Sequence, residues 1–122
     1  GLAYYIFSQF EKFKGLLLVS CGIDAQNKDK TVELILKQID ALKSGDISET
    51  EYKSALKSIG NAINSLKDDQ LQVIDFYLGQ LLSKTQDDFD TLLEKVNSIS
   101  VNDIIEVAKK IKPELIYLLS PE

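Results

Sequence analysis

The spacing of apolar residues along the chain changes period after Gly22. From Leu2 to Gln9 aromatic and β-branched residues dominate, and from Gly15 to Gly22 the chain runs Leu-Leu-Leu-Val-Ser-Cys between two glycines. Both stretches have strand composition. The polar link Phe10-Glu11-Lys12-Phe13-Lys14, closed by Gly15, predicts an antiparallel hairpin. Alternation puts Tyr4, Ile6 and Ser8 on one face and Tyr5, Phe7 and Gln9 on the other. The second strand is apolar on both faces, which predicts a central strand covered from both sides.

After Gly22 the period becomes 3.6. Val32, Ile35, Leu36, Ile39 and Leu42 form an i, i+3, i+4, i+7 stripe, predicting a helix over Lys28–Lys43 with Gly45 as its C′ residue. Ser48-Glu49-Thr50-Glu51 is a capping box flanked by the staple pair Ile47 and Tyr52. The helix it opens carries Tyr52, Ala55, Leu56, Ile59, Ala62, Ile63 and Leu66 on one face. Lys67-Asp68-Asp69 breaks it, and Leu71, Ile74, Leu78, Leu81 and Leu82 mark a third helix. Thr85 with Asp88 is expected to cap a fourth, bearing Phe89, Leu92, Leu93 and Val96. Ser100 with Asp103 is expected to cap a fifth, running to about Lys110. Pro113 stops the helical pattern, and Glu114–Ser120 reads as a last strand ended by Pro121. The expected order is β-β-α-α-α-α-α-β. The fold class is therefore α+β, an antiparallel sheet of the hairpin plus the C-terminal strand, covered by about five helices.

Composition narrows the chemistry more than the fold. The chain has 122 residues, the length of one domain, so residues 1–122 read as a single, partial domain. With no Met at all, Gly1 is expected to be a processed end or the edge of a longer chain. There is no His and one Cys, which excludes internal disulfides, a closed four-ligand zinc site and imidazole-based triads. All 14 basic residues are Lys against 19 acids, for a net charge of −5. An acidic, Arg-free chain is a poor partner for phosphate backbones or guanine edges, so no nucleic-acid partner is expected. The longest apolar run, Leu16–Val19, is far too short to span a bilayer, so no membrane partner is expected either. One unpaired Cys favours a reducing, cytoplasmic setting.

The carboxylates Asp68-Asp69 and Asp87-Asp88-Phe89-Asp90 lie at helix junctions, where capping and the helix dipole account for them without a site. A Ca²⁺ loop beginning at Asp24 fails, since Lys28 occupies a ligand position and the sixth-position Gly is missing. No Gly-rich phosphate loop occurs. Gly60 and Gly79 lie inside predicted helices and read as marks of close helix packing. Cys21 sits in an apolar strand without a basic neighbour and reads as an inert core thiol. That leaves the strand aromatics, for which a core or interface role is the plain reading.

Three stretches carry a family pattern: Gly1-Leu2-Ala3-Tyr4-Tyr5-Ile6 with Lys14-Gly15-Leu16-Leu17-Leu18-Val19 and Cys21-Gly22-Ile23-Asp24; Gly45-Asp46-Ile47-Ser48-Glu49-Thr50-Glu51; and Ile99-Ser100-Val101-Asn102-Asp103-Ile104 followed by Val107-Ala108-Lys109-Lys110. Together they resemble the insulinase-like (pitrilysin) zinc metallopeptidase family, in the second half of one of its non-catalytic homologous domains and closest to its smaller bacterial members. The resemblance implies catalysis through an inverted motif, His-x-x-Glu-His, with zinc polarising the scissile carbonyl and Glu as general base. No residue of this chain fills those roles. The resemblance therefore implies no catalytic residue and no metal ligand here, with zinc belonging to the parent protein or its partner. It also implies an Arg–Tyr pair that holds substrate, ending in Leu-Gly/Ala-Tyr. Leu2-Ala3-Tyr4 matches that ending, so Tyr4 is the expected substrate contact and Tyr5 the second choice; the Arg would precede Gly1. A phenol there would hydrogen-bond a peptide carbonyl or a developing oxyanion, and the hairpin edge would add to a peptide strand. The implied partners are the N-terminal half or a paralogous subunit of such a peptidase, and a peptide. The alternatives are a scaffold domain of an inactive family member that partners an active paralogue, and an unrelated protein-interaction module.

Overall fold

A computed structural model describes residues 1–119. Two antiparallel strands, β1 (Tyr5–Glu11) and β2 (Leu16–Gly22), open the chain, and a short 3-10 turn (Ala25–Asn27) follows. Five α-helices come next: α1 (Lys28–Ser44), α2 (Glu49–Leu66), α3 (Gln70–Ser83), α4 (Phe89–Ser98) and α5 (Val101–Ala108). The class is α+β, and the five helices stand where the 3.6 period predicts them.

The chain divides into two compact units. One comprises residues 1–45 and 105–122, the other residues 46–104. In the first, the hairpin register runs from Tyr5 opposite Gly22 to Glu11 opposite Leu16. Gly15, at φ +64°, supplies the left-handed residue that turns the chain into β2. Gly45 closes α1 at φ +79°, and a Cβ there would lie 2.8 Å from the Ile105 Cδ1 atom. In the second unit the core gathers Ile63, Phe89 and Val96, with Leu56, Leu66, Val73, Phe76, Leu92 and Leu93 packed around them. Phe76 stacks on Phe89 with ring centroids 4.2 Å apart, and Tyr77 meets Phe89 edge-on at 5.9 Å. The Lys67–Asp90 ion pair at 2.7 Å lies on the surface of this unit, where such pairs add little to stability.

Several expectations need correction. The sheet has two strands, and among the described residues the segment expected as a third, Leu115–Leu119, pairs with nothing; Ser120 and Pro121 lie outside the described residues. A strand exists only as a ladder, and no partner edge among the described residues meets this segment: Leu115, Ile116, Tyr117 and Leu119 are 55–84% exposed, and the groove beside Ile116 is lined by Lys28, Asp29 and Glu33 as well as Val32 and Leu36 of α1. Secondly, the hairpin is not covered, since no residue of either strand is buried and Leu16, Leu17 and Leu18 are 40–48% exposed. Two strands alone bury neither face. Cys21, opposite Ile6, is accordingly half-buried and not part of a core. Thirdly, α4 is capped by Asp88, which accepts from the Thr91 N–H at 2.8 Å, while the Thr85 hydroxyl donates to the Gln80 side chain. Gly60 leaves room for a methyl, since a Cβ there would stand 3.9 Å from Leu93 Cδ2, so close packing is not what it supplies.

Candidate functional site

The open end of the hairpin, where the chain enters β1 and leaves β2, is the place to which the expected site residues lead. Tyr4 precedes β1 by one residue, and its N–H donates to the Gly22 carbonyl at 2.8 Å, which extends the ladder one step past Tyr5. Tyr4 is 78% exposed. The hydroxyl donates to Asp24 Oδ1 at 2.8 Å. That hydrogen bond, together with the negative charge of Asp24, holds the Tyr4 phenol above the ordinary phenol range. Ionising it would break the bond and set two anions side by side.

Tyr5 points to the opposite face, as alternation requires. Its ring lies over its cross-strand partner Gly22, where a Cβ would approach Tyr5 Cε1 to 2.4 Å. It also stacks on Phe7, with centroids 6.3 Å apart. The two tyrosines therefore do not converge. Tyr4 and Asp24 form one polar pair at the hairpin end, and Tyr5 with Phe7 forms an aromatic surface on the other face.

Asp24 stands in the family-like stretch Cys21-Gly22-Ile23-Asp24 and fails as a Ca²⁺ loop start, but neither reading pairs it with Tyr4. What brings the two together is the strand register, which the structure supplies. Tyr5 opposite Gly22 puts Tyr4 opposite Ile23, one residue from Asp24. Several other carboxylates act as caps or in ion pairs. Asp69 accepts from the N–H groups of Leu71 and Gln72, and Asp87 pairs with Lys95 at 2.6 Å. Among the described residues no group of three His, Cys, Asp or Glu side chains is placed to hold a metal ion. Among them, too, no helix is long and apolar enough to cross a membrane.

Comparison with known proteins agrees with this part of the chain. Residues 1–59, which include the hairpin, Asp24 and α1, match the family described as the peptidase M16 inactive domain. Over 119 residues, 98% of its length, the chain is 31% identical to "Probable inactive metalloprotease YmfF" of Bacillus subtilis (strain 168), and it spans 28% of that protein. A solved structure titled as a conserved protein from Enterococcus faecalis V583 superposes with a TM-score of 0.80 at 28% identity, over 88% of this chain and 26% of that one. The chain thus spans little more than a quarter of either relative.

Proposed function

We propose that this chain is a C-terminal-type, inactive-domain segment of the M16 peptidase family, supported by the match over residues 1–59 and by the relative 31% identical over 119 residues, and that it is a non-catalytic wall of a substrate chamber, touching peptide through Tyr4. The observation that carries the proposal is the position of that phenol. It stands exposed at the end of an unburied hairpin, inside the stretch that matches the family, and it is tied to one partner, Asp24. The hairpin offers main-chain edges for strand addition, with Tyr4 beside them as a polar contact. Tyr5 is the second candidate contact, through its aromatic surface with Phe7.

The zinc ion that the family implies does not fit this chain, which has no His and a single Cys. In this proposal metal and hydrolytic chemistry belong to the rest of the parent protein or to a paralogous subunit, and the setting is cytoplasmic, in keeping with the unpaired Cys21. The alternative that the whole parent is an inactive scaffold gains weight from one finding: the curated relative bears the word "inactive" in its name. Stoichiometric zinc and peptide cleavage by the full-length parent would eliminate that scaffold reading.

The peptide contact is tested in either case by binding. In the full-length parent Tyr4→Phe keeps the ring and removes one hydrogen bond, so peptide affinity is expected to fall about five- to tenfold. Fluorescence anisotropy with a labelled peptide reads this directly. Unchanged affinity in Tyr4→Phe would rule out the Tyr4 contact.

A further inference from the structure

The side chains at the start of α2, α3, α4 and α5 share one habit. Ser48, Asp69, Asp88 and Ser100 each accept from a backbone N–H of the helix they open. Asp24 holds the same N-cap position before the 3-10 turn at Ala25–Asn27, but its carboxylate makes no capping bond. It accepts the Tyr4 hydroxyl proton instead, across the open end of the hairpin.

For Tyr4 this bond decides both geometry and polarity. At 78% exposure, little packing holds the ring, so the hydrogen bond to Asp24 is what fixes its direction. A phenol carries one proton and two lone pairs, and a carboxylate can only accept. The proton is therefore committed to Asp24, and what the pair turns to solvent is acceptors: the free lone pairs of the Tyr4 oxygen and the second carboxylate oxygen, with a negative charge behind them. We infer that Asp24 is the positioning residue of Tyr4 and that the pair takes a hydrogen-bond donor from the peptide, a backbone N–H or an ammonium group, rather than a carbonyl. The inference rests on the peptide-contact reading above and reverses the polarity expected from sequence. A carbonyl would have to displace Asp24 first, whereas an N–H meets a free lone pair and an ammonium also meets the charge.

The test uses the full-length parent with ring-labelled tyrosine followed by NMR through a pH titration, the Tyr4 signal being assigned by its loss in Tyr4→Phe. In the unmodified protein the Tyr4 phenol is expected to titrate above the ordinary phenol range. Asp24→Ala should return it to that range, and Asp24→Asn, which keeps an acceptor without the charge, should fall between. Binding is read in parallel with a short peptide labelled at its C-terminus, bearing a free N-terminal amine, and with its N-acetylated copy. The amine form is expected to bind about two- to fivefold more tightly, the range of an exposed charge contact. That preference should vanish in Asp24→Ala and in Tyr4→Phe.

An ordinary Tyr4 titration, unmoved by Asp24→Ala, would overturn the positioning role even if Tyr4→Phe weakened binding. Equal affinity for the two peptides would overturn the donor preference. Binding unaffected by Tyr4→Phe would instead sink the peptide-contact reading, while the titration still decides on the Tyr4–Asp24 bond.

Discussion

Gly22 shows how one missing methyl group sets the surface of the hairpin. Its φ does not lie in the left-handed region, so the backbone would accept any residue. The constraint is the Tyr5 ring, which occupies the space a Cβ would need. Covering a strand glycine with a cross-strand aromatic in this way shields the ladder and fixes the ring. Gly22→Ala is expected to swing the ring off the strand and weaken its stack on Phe7, costing about 0.5–1 kcal/mol. In a Tyr5→Ala background the same substitution should cost nothing. Thermal unfolding of the four proteins of that cycle checks the coupling, and additive effects would show that the ring does not depend on Gly22. At this scale the sequence told which tyrosine shares a face with which residue, because strand alternation is a local property. It did not tell that Asp24 would meet Tyr4, because that contact spans 20 residues and depends on the register of two strands.

The helices were legible for the same reason the hairpin faces were: their signals lie within a few residues. Both capping boxes form as expected. Ser48 and Glu51 exchange their bonds at α2, and Ser100 and Asp103 do so at α5. At α4 the expected Thr85–Asp88 pair does not form: Asp88 caps the helix alone, and the Thr85 hydroxyl turns back across the end of α3 to Gln80, a contact that no capping pattern encodes. The C-terminal strand failed for a deeper reason. Composition marks a segment as able to enter a ladder, but a partner edge is a property of the fold. The caps also predict how the helices respond to acid. Hydrogen bonds from Ser48 to Glu51 and from Ser100 to Asp103 hold those carboxyls below the ordinary range. Bonds from Gln72 to Asp69 and from the Thr91 backbone to Asp88 do the same. With folded values below unfolded ones, the folded state binds fewer protons. The stability these groups give is therefore complete above the ordinary carboxylate range and is lost as pH falls through the depressed folded values. Helical circular dichroism followed through an acid titration should hold level at neutral pH and decline only in that acidic window. A decline beginning near neutrality would show that something other than these caps controls the helices.

In the molecule as a whole, apolar surface is distributed unevenly, and α3 shows this most sharply. Its 14 residues include one charged side chain, Asp75. Val73 and Phe76 pack against the Phe89 core, while Leu71, Ile74, Leu78, Leu81 and Leu82 are 50–74% exposed. Their spacing runs at the three- and four-residue intervals of a helical seam. The hairpin adds Ile6, Phe7 and Phe10, and the tail adds Leu115 and Leu119, all more than half exposed. Soluble monomers rarely leave contiguous apolar patches beyond a few hundred Å², so the chain produced alone is expected to associate as its concentration rises. Leu71→Glu combined with Leu81→Glu places charge on the outer face of α3 without touching Val73 or Phe76. Sedimentation velocity should then shift toward the monomer while helical circular dichroism stays the same. If α3 is the seam, this pair will relieve association more than the matching change Phe7→Glu with Phe10→Glu in the hairpin. The reverse order would assign the sticking surface to the strands, where unpaired ladder edges and exposed aromatic side chains act together.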